Sequence, residues 1–98
     1  AGMARGIARH VRSPADGARL GAGEILVTEG LDPGWTPLLA RCGGVVLAMG
    51  SMLSHGAVVA RELGVPAVAN IHAVFVQVPD GAVVLVDGAR GAVYVERP

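Results

Sequence analysis

From Ile7 to Arg12 the chain steps residue by residue between two sets, Ile7, Arg9, Val11 and Ala8, His10, Arg12. That period of two predicts a short, half-exposed strand. Ser-Pro-Ala-Asp-Gly at 13–17 is turn chemistry. The run Glu24 to Thr28 is apolar and β-branched and predicts a buried strand. Asp32 before Pro33 fits an N-cap followed by proline at the first helical position, which opens a short helix running to about Arg41 and closed by Gly43-Gly44. Val45 to Ala48 is a second buried strand, and residues 49–54 form a loop. Ser54 then caps a helix from His55 to Leu63, which Gly64 stops and Pro66 follows. Gly56, Val59, Ala60 and Leu63 fall at i, i+3, i+4 and i+7, a small-residue core stripe with His55 at its edge in the first turn. Ala67 to Ala69 is a short strand, and Val74 to Val78 alternates around Phe75 and Gln77 as a strand does. After a Pro79–Gly81 turn, Ala82 to Val86 and Ala92 to Val95 make two more strands. The pattern predicts a mixed α/β domain occupying residues 1–98, with two to three short helices and its chemistry after the second buried strand.

Composition narrows what such a domain can do. Its 98 residues suffice for one modest core. Apolar residues make up 52% but aromatics only 3%, so the core is built of Val, Ala, Leu and Ile. The net charge is zero, with no basic run, so no nucleic-acid partner is expected. No stretch approaches the roughly 20 apolar residues that span a bilayer, so no membrane partner is expected. Without a secretory segment at the start, the expected compartment is the cytoplasm. Cys42 has no second cysteine to pair with and sits in apolar company, as a small buried hydrophobe does.

His55 is the candidate that carries chemistry. A helix N-terminus presents orphan N–H groups and partial positive charge, which favours an anion and disfavours imidazolium. The neutral ring is the nucleophile. If it takes a phosphoryl group, the added negative charge falls where the helix end stabilises it. Gly50 and Gly56 with Ser51 and Ser54 can supply backbone donors and hydroxyls there, and Thr28, at the end of a buried strand, is a further candidate phosphate contact. A Ser-His hydrolase pair fails, since adjacent Ser54 and His55 point apart and no carboxylate is placed beside them. A metal site fails too: His10, His55 and His72 are scattered without ligand spacing. His10, flanked by arginines, reads as solvated, and His72, before a strand, as a loop or edge residue.

Ser51 to Val68, SMLSHGAVVARELGVPAV, resembles the active-site segment of the mobile domain of phosphoenolpyruvate-utilising enzymes: phosphoenolpyruvate synthases, pyruvate phosphate dikinases and rifampicin phosphotransferases. VRSPADGARLGAGEILVT at 11–28, LDPGWTPLLARCGGVV at 31–46 and DGARGAVYV at 87–95 follow the same family pattern, in order and with its spacing. The resemblance implies a swivelling β/β/α domain whose His55 is transiently phosphorylated, on Nε2, and carries the group between two sites. It implies an ATP-grasp-type nucleotide-binding domain and a substrate or phosphoenolpyruvate/pyruvate domain as partners, in cis or in trans. ATP and Mg²⁺ belong to those partners, and no cofactor is expected on this domain. The domain alone is then expected to be inactive. Gly34-Trp35-Thr36 and the SHGAVVAREL segment resemble the rifampicin-type and synthase-like members more than the dikinases.

Departures fall around the histidine. Gly50-Ser51 stands where the family has two glycines, Leu53 where the dikinases have threonine, Leu31 where threonine often precedes Asp-Pro, and Asn70 where glycine is usual. The Ser54-His55-Gly56-Ala57 core is intact. The rival reading is a stand-alone binding or regulatory module with this fold and no phosphotransfer.

Overall fold

Strand β1 spans Met3–His10, four residues earlier at its start than local alternation predicts. A computed structural model describes residues 2–31, 33–49, 60 and 62–96. The early start of β1 is set by β5 (Val83–Asp87), which pairs with it antiparallel from Met3↔Asp87 to Ile7↔Val83. A partner near the other end of the sequence leaves no mark on the local period.

On its other side β1 pairs in parallel with β2 (Ile25–Thr28). β2 continues in parallel to β3 (Gly44–Leu47), and β3 to the two-residue β4 (Ala67–Val68). β6 (Ala92–Val95) lies antiparallel outside β5, giving one six-stranded sheet in the order β4-β3-β2-β1-β5-β6. Every residue of β2 and β3 is buried, as expected for parallel strands covered on both faces. Alternation splits their side chains between two cores. Ile25, Val27 and Val46 face Val74 and Val78. Leu26, Val45 and Leu47 face Trp35, Leu38 and Leu39.

The second core is closed by a 3₁₀ turn, Pro33–Trp35, leading into helix α1 (Thr36–Arg41). The expected N-cap, Asp32, lies outside the described residues. Gly43-Gly44 does not close this helix. Cys42 caps it in extended conformation, and Gly44 already belongs to β3. Gly43 serves a close approach: a Cβ there would meet the Gly23 carbonyl oxygen at 2.6 Å. Cys42 is buried, and burial pushes its thiol up to about 11. The Ser13–Gly17 turn extends into a 3₁₀ helix, Pro14–Arg19, begun by the Asp16 N–H donating to the Ser13 carbonyl at 3.0 Å.

Of the helix expected over 55–63, residues 55–59 and 61 lie outside the described ones, including Gly56 and Val59 of its stripe. Ala60 and Glu62 are helical, and Ala60 is fully buried. Gly64 has φ +73°, and the Val65 N–H reaches back to the Ala60 carbonyl at 2.8 Å. This six-to-one bond across a left-handed glycine is the Schellman stop that Gly64 predicts. Leu63 departs from the expected stripe: at the last turn it is 48% exposed.

Val74 to Val78 is not a strand. Val74–Gln77 forms helix α2, and its N–H groups at 76 and 77 both bond to the Ala73 carbonyl at 2.9 Å. Val74 and Val78 are four apart and bury on the same face, one helical turn from each other. Val76, which alternation would place beside them, is 79% exposed. Five residues with apolar positions at 74, 76 and 78 satisfy both periods, and burial of 74 and 78 alone decides for the helix. Among the described residues no helix is long and apolar enough to cross a membrane.

Candidate functional site

Strands β1 to β4 all point the same way, so their carboxyl ends share one edge of the sheet. In open α/β sheets that edge is where ligands bind. His10, Thr28, Leu47 and Val68 end the four strands there. The Ala48 N–H donates to the Thr28 carbonyl at 3.2 Å and the Met49 N–H to the Glu29 carbonyl at 2.7 Å, which carries the chain out over β2. The Ile71 N–H closes onto the Leu47 carbonyl at 3.0 Å. Met49 therefore hands the chain to the histidine-bearing segment at this edge.

The candidate residues Gly50, Ser51, Ser54, His55 and Gly56 lie outside the described residues. Thr28 lies at the edge but is 1% exposed, packed beneath it rather than presented on it. Glu29 and Ala48 line a pocket of about 230 Å³ with Ala73, Val74, Phe75 and Val76. Ala73 holds φ +50° at the start of α2, a left-handed conformation that costs an alanine about 1 kcal/mol or more.

His10 is not solvated. Its ring is half-buried, with Nε2 at 2.6 Å from the Val78 carbonyl oxygen, and it meets the Phe75 ring edge-on at 4.8 Å between centroids. Its backbone N–H donates to Asp80 Oδ1 at 2.7 Å. That bond, with the Arg19 and Arg9 guanidiniums, holds the Asp80 carboxyl below the usual carboxylate range. Arg9 also grips Glu24 with two nitrogens, and with the Gly21 N–H it lowers the Glu24 carboxyl. Arg12 lies over the Phe75 ring, its guanidinium carbon 4.0 Å from the centroid. Sequence reading missed Phe75 and Arg12 as neighbours, since no local signal links residues so far apart in the chain. His72 is exposed in a turn. Among the described residues no group of three or more His, Cys, Asp or Glu side chains gathers in a way that could hold a metal.

The family model of the PEP-utilising enzyme mobile domain matches residues 20–91. The chain belongs to this mobile-domain family. The mobile domain is 50% identical over 92 residues to chondramide synthase cmdD of Chondromyces crocatus, covering 94% of this chain and 2% of that protein. It is 42% identical to a rifampicin phosphotransferase of Bacillus cereus, covering 97% of this chain and 11% of that one. To a probable phosphoenolpyruvate synthase of Staphylothermus marinus it is 38% identical, covering 95% and 11%. The mobile domain thus spans about a tenth or less of the length of these relatives, each of which holds such a segment among much else. An NMR solution structure of Enzyme I superposes with a TM-score of 0.69 at 31% identity, covering 84% of this chain and 34% of that one. The six-stranded mixed sheet with its short helices is the α/β swivelling-domain fold.

Proposed function

We propose that this mobile domain is a phosphoryl carrier: His55 accepts a phosphoryl group from ATP held by an ATP-grasp-type nucleotide-binding domain and delivers it at a second site. In the first step a ring nitrogen, Nε2, attacks phosphorus. The N–P bond forms, the P–O bond to the nucleotide breaks, and the departing phosphate oxygen takes the electron pair. Gly50, Ser51, Ser54 and Gly56 act as phosphate contacts through N–H groups and hydroxyls, and Mg²⁺ stays with the nucleotide domain. The second site lies on a substrate or phosphoenolpyruvate/pyruvate domain, in cis or in trans.

One observation carries the reading. The intact Ser54-His55-Gly56-Ala57 segment belongs to a chain of the mobile-domain family and leaves Met49 at the carboxyl edge of the parallel strands. Among the relatives are a rifampicin phosphotransferase and a probable phosphoenolpyruvate synthase, and the resemblance implies as acceptor a hydroxyl of the antibiotic in the one class and pyruvate in the other. Their 11% coverage supports partner domains in the same protein.

The test is labelling with ATP carrying ³²P at the β or the γ position, in the presence of the nucleotide-binding domain. The expected label is acid-labile and base-stable, and disappears in His55→Ala while the fold persists. Label that survives acid, or remains in His55→Ala, places the acceptor on Ser51, Ser54 or another group and ends the carrier reading.

A further inference from the structure

The sheet ends on one side in the two-residue β4 and on the other in β6, whose outer edge has no strand beside it among the described residues. The pairing with β5 fixes which groups lie on that edge. The Glu96 N–H donates to the Val83 carbonyl at 2.8 Å, and Tyr94 and Ala92 stand opposite Leu85 and Asp87 in the same register. Bonded and non-bonded pairs alternate along an antiparallel ladder. Tyr94 and Ala92 therefore bond inward, and Val93 and Val95 turn their N–H and C=O groups outward. The usual protections of such an edge are missing from β6: Ala92–Val95 holds no proline and no charge, and its register with β5 is unbroken. Charges stand only at the flanks of the strand. Arg90 lies three residues before Val93 with its side chain 79% exposed, and Glu96 three residues after it with its side chain 43% exposed.

We infer that β6 pairs with β6 of a second copy of this chain, antiparallel about a two-fold axis through Val93, joining the two sheets edge to edge. The inference is independent of the carrier reading of His55. The charge pattern names the occupant. In a symmetric antiparallel pair, each residue faces the one equally far from the axis on the other strand. Val93 then faces Val93, each N–H donating to the other's carbonyl, and Arg90 of each copy comes opposite Glu96 of the other. An axis through Ala92 or Tyr94 instead leaves Glu96 opposite Gly88 or Ala92, and neither charge is answered. A strand of different sequence would need both opposite charges at this spacing, whereas a second copy supplies them by symmetry. The second copy's Val93 and Val95 arrive on the face that carries α2, along an open groove of about 620 Å³ lined by His72, Gln77, Val78 and β6 itself. Strand direction reverses across the axis, so the carboxyl edges of the two sets of parallel strands face opposite ways.

The test is the oligomeric state of the 98-residue chain in sedimentation equilibrium. A four-residue edge is small for a specific interface, so a weak dimer is expected to build up between about 1 µM and 1 mM. Arg90→Glu and Glu96→Arg each set like charges opposite one another at both ends of the joint. Each is expected to raise the dissociation constant about tenfold or more. Mixed in equal amounts, the two variants restore opposite charges at both ends, and a heterodimer about as tight as the wild-type dimer is expected. Mixing does not repair a folding defect, so this rescue separates contact across the joint from damage within one chain. Wild-type protein still monomeric at about 1 mM overturns the inference. A dimer retained unchanged in both single variants lies on another surface and overturns it too, as does a mixture that associates no more tightly than its components.

Discussion

His10 Nε2 lies 2.6 Å from the Val78 carbonyl oxygen, tying the end of β1 to the end of α2. Facing a carbonyl, that nitrogen carries the proton and donates. The ring also meets the edge of Phe75, so one side chain supports both the hydrogen bond and the aromatic contact that seats α2 against the sheet. His10→Ala is expected to lower stability by about 1–2 kcal/mol in urea unfolding, the sum of a part-buried hydrogen bond and a lost ring contact. His72→Ala, in an exposed turn, is expected to stay within about 0.5 kcal/mol. Equal losses for the two variants would show that the Val78 bond contributes nothing.

Asn70 stands where the family pattern has glycine, and its φ is +64°. That is the left-handed region, free for glycine and tolerated by asparagine, whose short polar side chain satisfies itself locally. The departure therefore preserves the backbone path between β4 and α2. Asn70→Gly is expected to change the unfolding free energy by only a few tenths of a kcal/mol, while Asn70→Val costs about 1–2 kcal/mol. Thermal unfolding of the three proteins side by side decides it. A valine variant as stable as the parent would contradict the left-handed conformation.

Asp80 and Glu24 set the response to acid. Both carboxyls are held below their ordinary values, Asp80 first by the His10 N–H and Glu24 first by Arg9. A carboxyl with a lowered folded-state pKa binds fewer protons folded than unfolded. Its stabilisation is therefore present above the unfolded value near 4 and is lost as pH falls through the lower folded value. The melting temperature is expected to drop between about pH 5 and pH 3, and Asp80→Asn is expected to flatten that drop while lowering the melting temperature at pH 7. An acid transition of unchanged steepness in Asp80→Asn would assign the pH dependence to other groups.

Elements governed by local chemistry were legible in the sequence. The buried runs at β2 and β3 carry their β-branched composition on their face, and Gly64 announces the stop that the Val65–Ala60 bond makes. Elements governed by distant partners were not. The first four residues of β1 owe their conformation to β5, and α2 differs from a strand only in which of its valines the sheet buries. Gly43-Gly44 looked like a helix stop because glycine pairs often are, whereas the close approach to Gly23 is visible only in space. For the site, sequence names the histidine segment, which lies outside the described residues, and the structure places only Met49, which precedes it, at the carboxyl edge of the parallel strands. His10 was misplaced in solvent because its flanking arginines are polar, while the atoms that cover it come from residues 75 and 78.

The central place of β1 carries a cost during synthesis. One of its sides is completed early by β2, but the other waits for β5, whose Asp87 pairs with Met3 across almost the whole chain. Until residue 87 leaves the ribosome, that side presents a row of bare N–H and C=O groups to any passing strand. Such non-local closure is slow, and loop-closure entropy is spent before any contact rewards it. A chain stalled or truncated before β5 is therefore an aggregation template, whereas loss of the outermost β6 leaves every β1 pairing in place.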